Sequence, residues 1–232
     1  MAKRSIQRAN NIEFKHELVR KSIHLVSLSI PIGYWYMGRA TVLMYILPLF
    51  AWSLSMDIAR FFIPSFAHWF YKFFRPLLRE HELNHDKKLL TGATWLLISA
   101  AVCIQWFPKL ITITAFSILI VSDTAAALFG RRFGKRIFFQ KSLEGAFAFF
   151  VSALIVLAFL PHVYSPGIEY TIGMIAALIG AIVESASIQL RFDDNLSIPL
   201  SIGGVMWGIY YLLAQLDPAK YQALYDAVVA FQ

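Results

Sequence analysis

The feature that most restricts the fold of this chain is a long apolar run, KLITITAFSILIVSDTAAALF, at residues 109–129. A helix rises about 1.5 Å per residue, so about 20 apolar residues cross the hydrocarbon core of a bilayer. Comparable runs recur along the chain, in which 58% of the residues are hydrophobic and 15% are charged. We therefore predict an all-α, polytopic integral membrane protein.

Seven transmembrane helices are predicted, with ends uncertain by several residues. They are residues 19–37, 40–58, 91–107, 109–129, 144–161, 168–189 and 197–216. Of the 21 Lys and Arg residues, all but Arg39, Lys109 and Lys220 then fall in the N-terminus and in alternate loops. Basic residues are retained on the cytoplasmic side, so the N-terminus is predicted to be cytoplasmic and the C-terminus external.

The whole chain, residues 1–232, is predicted to form a single membrane-embedded domain. Its cytoplasmic parts would be an N-terminal segment, residues 1–18, and a connector, residues 59–90. Aromatic and basic residues in that connector suit a helix lying in the membrane interface, although a solvated connector is the simpler alternative. Residues 217–232 form a short amphipathic tail. Cys103 is the only cysteine, so no intrachain disulfide can form.

Basic residues outnumber acidic ones, for a net charge of +7. They are dispersed between the predicted helices instead of being collected on one soluble domain. This distribution argues against nucleic acid as a partner and favours a membrane surface or a phosphorylated ligand.

Asp123 is the acid inside the apolar run, seven residues before Gly130. It would lie about 10 Å from Gly130 along the helix. A charge at the bilayer centre costs about 2.5–3.5 kcal/mol on insertion scales, so such residues usually face a protein interior and mark function. Residues 126, 127 and 130 share its helical face and are Ala, Ala and Gly, which leaves room for a ligand or for another helix. The alternative is a structural carboxylate paired with a base.

Acids and bases from four segments are predicted to meet at the cytoplasmic boundary. The basic loop after Asp123 could by itself be only a topology signal, but three other charged groups lie on the same side. The four sets are Arg131, Arg132, Lys135, Arg136 and Lys141 in the loop; Glu17, Arg20, Lys21 and His24 on one face of the first helix; Lys141, Ser142 and Glu144 before the fifth span; and Glu184, Ser187, Arg191 and Asp194, with Asp193 and Asn195, after the sixth.

This combination is typical of a nucleoside triphosphate site. Bases neutralise phosphate oxygens, and carboxylates hold the Mg²⁺ (or another divalent cation) that bridges them. A carrier would more often place its polar groups near the bilayer midplane, in broken helices with inverted repeats.

Two short motifs do not support the functions that they suggest. GRRFGK at residues 130–135 is one residue too short for a P-loop, and Arg136 replaces the required Ser or Thr. HELNH at residues 81–85 has the HExxH spacing of a zinc site, but it lies in a wholly polar run without an obvious third ligand. A solvated connector is the better interpretation.

Several motifs occur in a characteristic order along the chain. They are ELVRKSIH near the N-terminus, TGAT at residues 91–94, DTAAALFGRRFGK followed by KSLEG, and DDNLSIPL at residues 193–200. Together they resemble the CTP-dependent lipid kinases, which include dolichol kinase, phytol kinase and the yeast-type diacylglycerol kinase. The resemblance covers about residues 13–204. It implies transfer of the terminal phosphate of CTP to the hydroxyl group of a membrane lipid, and it implies that Arg20, Lys21, Asp123 and Gly130 are essential.

The predicted roles combine this resemblance with the charge pattern. Asp123, with Asp194 or Asp193 and with Glu184, would hold the metal ion, while Arg20 and Lys21 would reach the phosphates from the first helix. A carboxylate or His24 would accept the proton of the lipid hydroxyl. The residues predicted to bind the nucleotide are Gly130, Arg131, Arg132, Gly134, Lys135, Lys141, Ser142 and Glu144, and Glu17 and Asn195 complete the candidate site.

The central motifs are also similar to those of the CDP-diacylglycerol synthases, which join CMP from CTP to phosphatidic acid. Their C-terminal signature is missing here, where DDNLSIPL stands in its place, so the kinase is favoured. The sequence leaves open which lipid alcohol is used, whether CTP or another nucleotide is the donor, and the oligomeric state. The membrane would be a prokaryotic cell membrane or that of the endoplasmic reticulum or a plastid, with the active site facing the cytoplasm.

Overall fold

The computed structural model describes residues 17–78, 82, 88–139, 141–190 and 193–231. Within these residues the chain is almost entirely helical, which confirms the predicted all-α class. Helix α1 covers described residues 17–26. The later helices are α2 Ser29–Tyr36, α3 Arg39–Phe62, α4 Pro64–Phe74, α5 Gly92–Trp106, α6 Lys109–Phe133, α7 Leu143–Phe159, α8 Pro166–Leu190, α9 Asp194–Leu216 and α10 Pro218–Ala230.

Four helices in the described part of the chain are long and apolar enough to cross a membrane. They are α3, α6, the Pro166–Ser187 part of α8, and α9. Helices α5 and α7 are apolar but shorter, with 15 and 17 residues. Each of the seven predicted spans therefore coincides with helical structure, and the first of them is broken by a turn at residues 27–28. Seven crossings and a cytoplasmic N-terminus remain predictions.

Helix α6 lies at the centre of the bundle and is buried over most of its length. It contacts α2, α5, α7, α9 and α10. Its apolar residues occur on all sides, as expected of a helix enclosed by other helices. In contrast, most of α3 faces outward, with exposed Trp52 and Phe62. The position of α6 brings Asp123 into the protein interior.

Small residues allow the last turns of α6 to approach α7 closely. A Cβ atom on Gly145 would lie 3.1 Å from the backbone oxygen of Ala126 and 3.3 Å from the Cα atom of Gly130. Small residues commonly let membrane helices approach in this way. Sequence analysis left open whether the small residues on the helix face of Asp123 make room for a ligand or for another helix. At Ala126 and Gly130 the structure places helix α7 against this face.

The basic loop contains a short antiparallel hairpin that sequence analysis did not predict. Strands β1, Ile137–Phe138, and β2, Lys141–Ser142, pair with Ile137 opposite Ser142. Phe139 has a positive φ of 55°, the left-handed conformation that a tight reversal requires. The hairpin directs the chain from the end of α6 into α7.

The first residues of the predicted connector, 59–62, belong to the end of α3. An aromatic helix, α4, and a 3₁₀ turn at Arg75–Leu77 follow. Whether α4 lies in the membrane interface remains a prediction. The histidines of HELNH lie outside the described residues, as does Arg191. The tail forms α10, which packs on α9 through buried Leu224 and Val228.

Candidate active site

Asp123 and Lys21 form a buried ion pair that joins α1 to α6. The Nζ atom of Lys21 donates a hydrogen bond to Oδ2 of Asp123, and each side chain is 5% exposed. His24 lies one turn further along α1, with its Nε2 atom 3.5 Å from the same oxygen. A spacing of three residues places Lys21 and His24 on one helix face. The structure thus brings Lys21 together with a residue that is 102 positions away in the sequence.

Glu17 connects the beginning of α1 with the basic end of α6. Its Oε1 atom accepts a hydrogen bond of 2.6 Å from Arg20, and its Oε2 atom lies 3.0 Å from an Nη atom of Arg131. Glu17 is buried, whereas the Arg131 side chain is 45% exposed. Glu17 therefore positions two of the predicted phosphate-binding bases, one from each helix.

Lys141 lies at the centre of a second charged cluster. Its Nζ atom donates to Oε1 of Glu184 at 2.7 Å and to Oδ2 of Asp194 at 3.0 Å. Burial by itself would lower the pKa of Lys141, but the carboxylates of Asp194 and Glu184 raise this pKa above its ordinary value. Lys141 is therefore a cation at neutral pH, and it joins the hairpin to α8 and α9.

The four carboxylates predicted to hold a metal ion do not form one preassembled group. Asp123 pairs with Lys21, whereas Glu184 and Asp194 meet at Lys141. The fourth, Asp193, caps α9 by accepting a hydrogen bond of 2.9 Å from the backbone nitrogen of Asn195. No group of three or more His, Cys, Asp or Glu side chains suited to a metal is found among the described residues.

This donor set still fits Mg²⁺ that arrives with a nucleotide. Mg²⁺ prefers oxygen ligands, and it is usually held by one or two carboxylates together with substrate phosphates and water. Asp123, Glu184 and Asp194 offer such oxygens, each balanced by a lysine in the present arrangement. Asp193 is the least suited of the four, because one of its carboxylate oxygens already serves the helix cap.

Two residues predicted to bind the nucleotide have side chains that hold the backbone of the basic loop, and their contact with a nucleotide stays a prediction. Glu144 accepts hydrogen bonds through Oε2 from the backbone nitrogens of Lys135, at 3.0 Å, and Arg136, at 3.3 Å. Ser142 caps α7 by accepting a hydrogen bond of 3.1 Å from the backbone nitrogen of Gly145. The side chains of Arg131, Arg132 and Lys135 are left exposed around this backbone, where a phosphorylated ligand can reach them.

Gly134 lies in the tightest part of this loop, so we expect Gly134→Ala to be destabilising. The added Cβ atom would lie 2.2 Å from the backbone oxygen of Gly130 and 2.7 Å from Cβ of Ser142. Overpacking of this kind costs about 1–3 kcal/mol in the free energy of unfolding. Thermal unfolding of the purified protein in detergent measures the loss.

Gly204→Ala is the matched control for this substitution. Among the described residues, no atom beyond the neighbouring backbone of α9 lies within 4 Å of a Cβ added at Gly204. Because alanine favours the helix over glycine by about 1 kcal/mol, this variant should be as stable as the original chain or slightly more stable. Equal melting temperatures for the two variants would contradict the tight packing of Gly134.

A second buried network was missed by sequence analysis, which counted Arg60 only as a loop charge. Arg60 is buried, and its Nε atom donates to Oδ1 of Asp57 at 2.8 Å. Oδ2 of Asp57 accepts from the backbone nitrogen of Thr91, at 2.9 Å, and from the hydroxyl of Thr94, at 2.7 Å. Threonines of the TGAT motif thus anchor the beginning of α5 on α3. The only available signal was an Asp and an Arg three residues apart at the end of an apolar run.

Asp123 and Lys21 also line a cavity of about 300 Å³. The lining residues come from α1, α3, α4, α5, α6 and α9 and from the segment that follows α4. Arg20, His24 and Asn195 are among the polar lining residues, and most of the lining is apolar. The described residues of the basic hairpin do not contribute to the lining. Asp123 therefore belongs both to a buried ion pair and to the lining of a mostly apolar cavity.

Comparison with known proteins gives relatives but no family model and no solved structure that match. The chain is 30% identical to "Uncharacterized protein RP860" of Rickettsia prowazekii, over 82% of this chain and 92% of that protein. It is 27% identical to the CTP-dependent diacylglycerol kinase 1 of Schizosaccharomyces pombe, over 80% of this chain and 90% of that protein. It is 30% identical to the dolichol kinase sec59 of the same yeast, over 62% of this chain but 30% of that protein.

Proposed function

Because the chain belongs to the same family as protein RP860 of Rickettsia prowazekii and is related to lipid kinases of yeast, we propose that it is a CTP-dependent membrane lipid kinase. It transfers the terminal phosphate of CTP to the hydroxyl group of a lipid alcohol of the polyprenol, dolichol, phytol or diacylglycerol type. The relatives do not support the alternative activity, a phosphatidate cytidylyltransferase.

The position of Asp123 is the observation that carries this proposal. A phosphotransferase must bring a polyanionic donor and an apolar acceptor to one point while each remains in its own environment. Asp123 pairs with Lys21 of the first described helix, and both side chains also line the mostly apolar cavity. A donor phosphate and a lipid hydroxyl can meet there.

The nucleotide would occupy the charged side of the site. Arg131, Arg132 and Lys135 are exposed at the end of α6, and Arg20 is held beside Arg131 by their common partner Glu17. Guanidinium groups suit phosphate oxygens because they offer paired donors. Lys141 supplies a further cation next to Glu184 and Asp194. Binding of the triphosphate is expected to exchange some of these internal ion pairs for ion pairs with phosphate.

Asp123, Glu184 and Asp194 would hold the divalent ion. The ion, when bound, neutralises charge on the donor phosphates. Phosphoryl transfer has a loose transition state, so catalysis depends mainly on positioning and on electrostatic stabilisation. In the transfer, the lipid oxygen forms a bond to the terminal phosphorus, the bond from this phosphorus to the bridging oxygen breaks, and CDP leaves. The hydroxyl proton passes to a carboxylate of the site.

The distribution of basic residues supports an active site that faces the cytoplasm. The hairpin, the beginning of α1 and the beginning of α9 come together at one end of the bundle. Cytoplasmic loops retain Lys and Arg, and CTP is a cytoplasmic metabolite in this proposal. We therefore assign this end to the cytoplasm of a multi-pass membrane protein.

Labelled CTP tests the reaction class directly. The purified protein is incubated with a divalent cation, lipid alcohols and phosphatidic acid, and with CTP labelled in either the alpha or the gamma phosphate. We expect the gamma label to appear in the lipid, because the terminal phosphate is transferred. Alpha label in the lipid would instead identify a cytidylyltransferase and contradict the proposal. ATP in place of CTP tests the choice of donor.

A further inference from the structure

The cavity beside Asp123 has a mostly apolar lining with a few polar groups. Asp123, Lys21 and Asn195 are among the polar residues, while Met56, Phe70 and Phe74 contribute to the apolar wall. Its volume of about 300 Å³ is at the lower limit for pockets that enclose small ligands. An apolar wall with a few convergent polar groups is the usual construction of such a pocket.

Asn195, which is part of the cavity lining, has a buried oxygen atom without a hydrogen-bond partner among the described residues. The side chain donates through Nδ2 to the backbone oxygen of Gly92 at 3.1 Å, which fixes its orientation. Its Oδ1 atom is buried and has no hydrogen-bond partner among the described residues. An unsatisfied buried acceptor costs about 1–3 kcal/mol. Asn195 also lines the cavity, so a small movement of its side chain would let a hydroxyl group in the cavity supply the missing donor.

Part of the cavity lining is both apolar and exposed. Two lining residues, Ile23 on α1 and Trp52 on α3, are 50% and 63% exposed. Helix α3 is also one of the four helices long and apolar enough to cross a membrane. A ligand that passes between Ile23 and Trp52 would therefore come from among lipid chains and not from water.

We propose that this cavity is the acceptor site and that the lipid alcohol enters it sideways, between α1 and α3. The hydroxyl group donates to Oδ1 of Asn195, which holds the hydroxyl oxygen near Asp123. The first part of the chain lies against Met56, Phe70 and Phe74, and the remainder leaves past Trp52 into the membrane. This inference rests on the proposed function for the identity of its ligand. Asn195 acts as a positioning residue.

Filling the cavity tests the location of the acceptor. Ala93 lines the cavity at the beginning of α5 and is exposed, so Ala93→Phe adds volume there without displacing packed atoms. We expect the KM for the lipid alcohol to rise about tenfold or more, with binding of CTP unchanged. Ala51→Phe on α3 is the matched control, because Ala51 is also exposed but is not part of the lining. Equal KM values in the two variants would overturn the proposal.

Asn195→Ala tests the hydrogen bond. Loss of one hydrogen bond to the hydroxyl is expected to reduce kcat/KM for the alcohol about tenfold. Asn195→Asp retains an acceptor and should recover part of this loss, whereas a merely structural role would lower the melting temperature of the alanine variant and leave kcat/KM intact. Wild-type kcat/KM values in Asn195→Ala would contradict the assigned contact.

Photocrosslinking separates this inference from the proposed function, because it requires no turnover. Hexadecanol carrying a diazirine on its chain is bound to the purified wild-type protein without nucleotide, and the labelled residues are mapped. We expect labels on Trp52, Met56 and Phe74, strongly reduced in Ala93→Phe and unchanged in Ala51→Phe. Labels on other helices, combined with gamma-phosphate transfer, would overturn the assignment of the cavity as the acceptor site but would still support the kinase activity. Labels in the cavity without any phosphate transfer would support the cavity as a lipid-binding site and contradict the kinase activity.

Discussion

Asp123→Asn is expected to reduce phosphate transfer about a thousandfold, a loss typical of removing a preorganised electrostatic contact to a phosphoryl group. Asparagine has nearly the shape of aspartate but lacks its charge, so it cannot hold a divalent ion or balance Lys21 in the same way. Asp123 is the carboxylate that lies both beside Lys21 and on the cavity. The rate of transfer from gamma-labelled CTP measures the effect.

This variant also removes the counter-charge of buried Lys21, so a loss of folding must be separated from a loss of catalysis. The double variant Asp123→Asn, Lys21→Met contains neither charge. A buried charge that has lost its partner destabilises the folded protein, and the double variant has no such charge at this pair. Its melting temperature should therefore be closer to that of the original chain than the melting temperature of Asp123→Asn is. Its activity should remain lost. Recovery of activity in the double variant would show that the pair is only structural.

Arg60→Met is expected to lower the free energy of unfolding by about 3–5 kcal/mol, because it leaves the carboxylate of Asp57 buried without its cation. Arg60 donates to Asp57, to the hydroxyl of Tyr71 at 2.7 Å and to the backbone oxygen of Glu82 at 3.3 Å. Removing it therefore loosens both the connector and the beginning of α5. Thermal unfolding in detergent measures the loss of stability.

Arg132→Met is the matched control for this change. Arg132 is exposed at the end of α6, where the removal of a surface charge usually changes stability by less than about 1 kcal/mol. The double variant Asp57→Asn, Arg60→Met should lose less stability than the two single changes together, since their effects are coupled. If Arg60→Met and Arg132→Met melted at the same temperature, the network around Asp57 would not be a major source of stability.

The sequence was sufficient for the class of fold and for the approximate positions of the helices. Long apolar runs with few charges form helices in a membrane, because backbone amides without hydrogen-bond partners are too costly in lipid. The sequence also predicted that one helix face carries Glu17, Arg20, Lys21 and His24. The structure places Lys21 and His24 of this face against Asp123. The spacing alone could not show which of these side chains would be buried.

Other features depend on contacts between distant segments. Arg60 looked like a loop charge, but its position beside Asp57 and Thr91 makes it part of the interior. Ser142 and Glu144 belong to a motif that suggested nucleotide contact, yet their side chains hold the backbone of the loop. A motif identifies residues that work together, but it does not say which of them face the ligand.

The sequence by itself determined that this chain is an α-helical membrane protein with acids and bases concentrated near helix ends. Hydrophobicity and charge are local properties of the sequence. Apolar runs cross the bilayer as helices, and charged segments stay outside it as loops. Only the tertiary structure decided that Asp123 pairs with Lys21, that Lys141 joins Glu184 to Asp194, and that a cavity opens beside them. The packing of α1, α3, α5, α6 and α9 creates these neighbours, and packing depends on the whole chain at once.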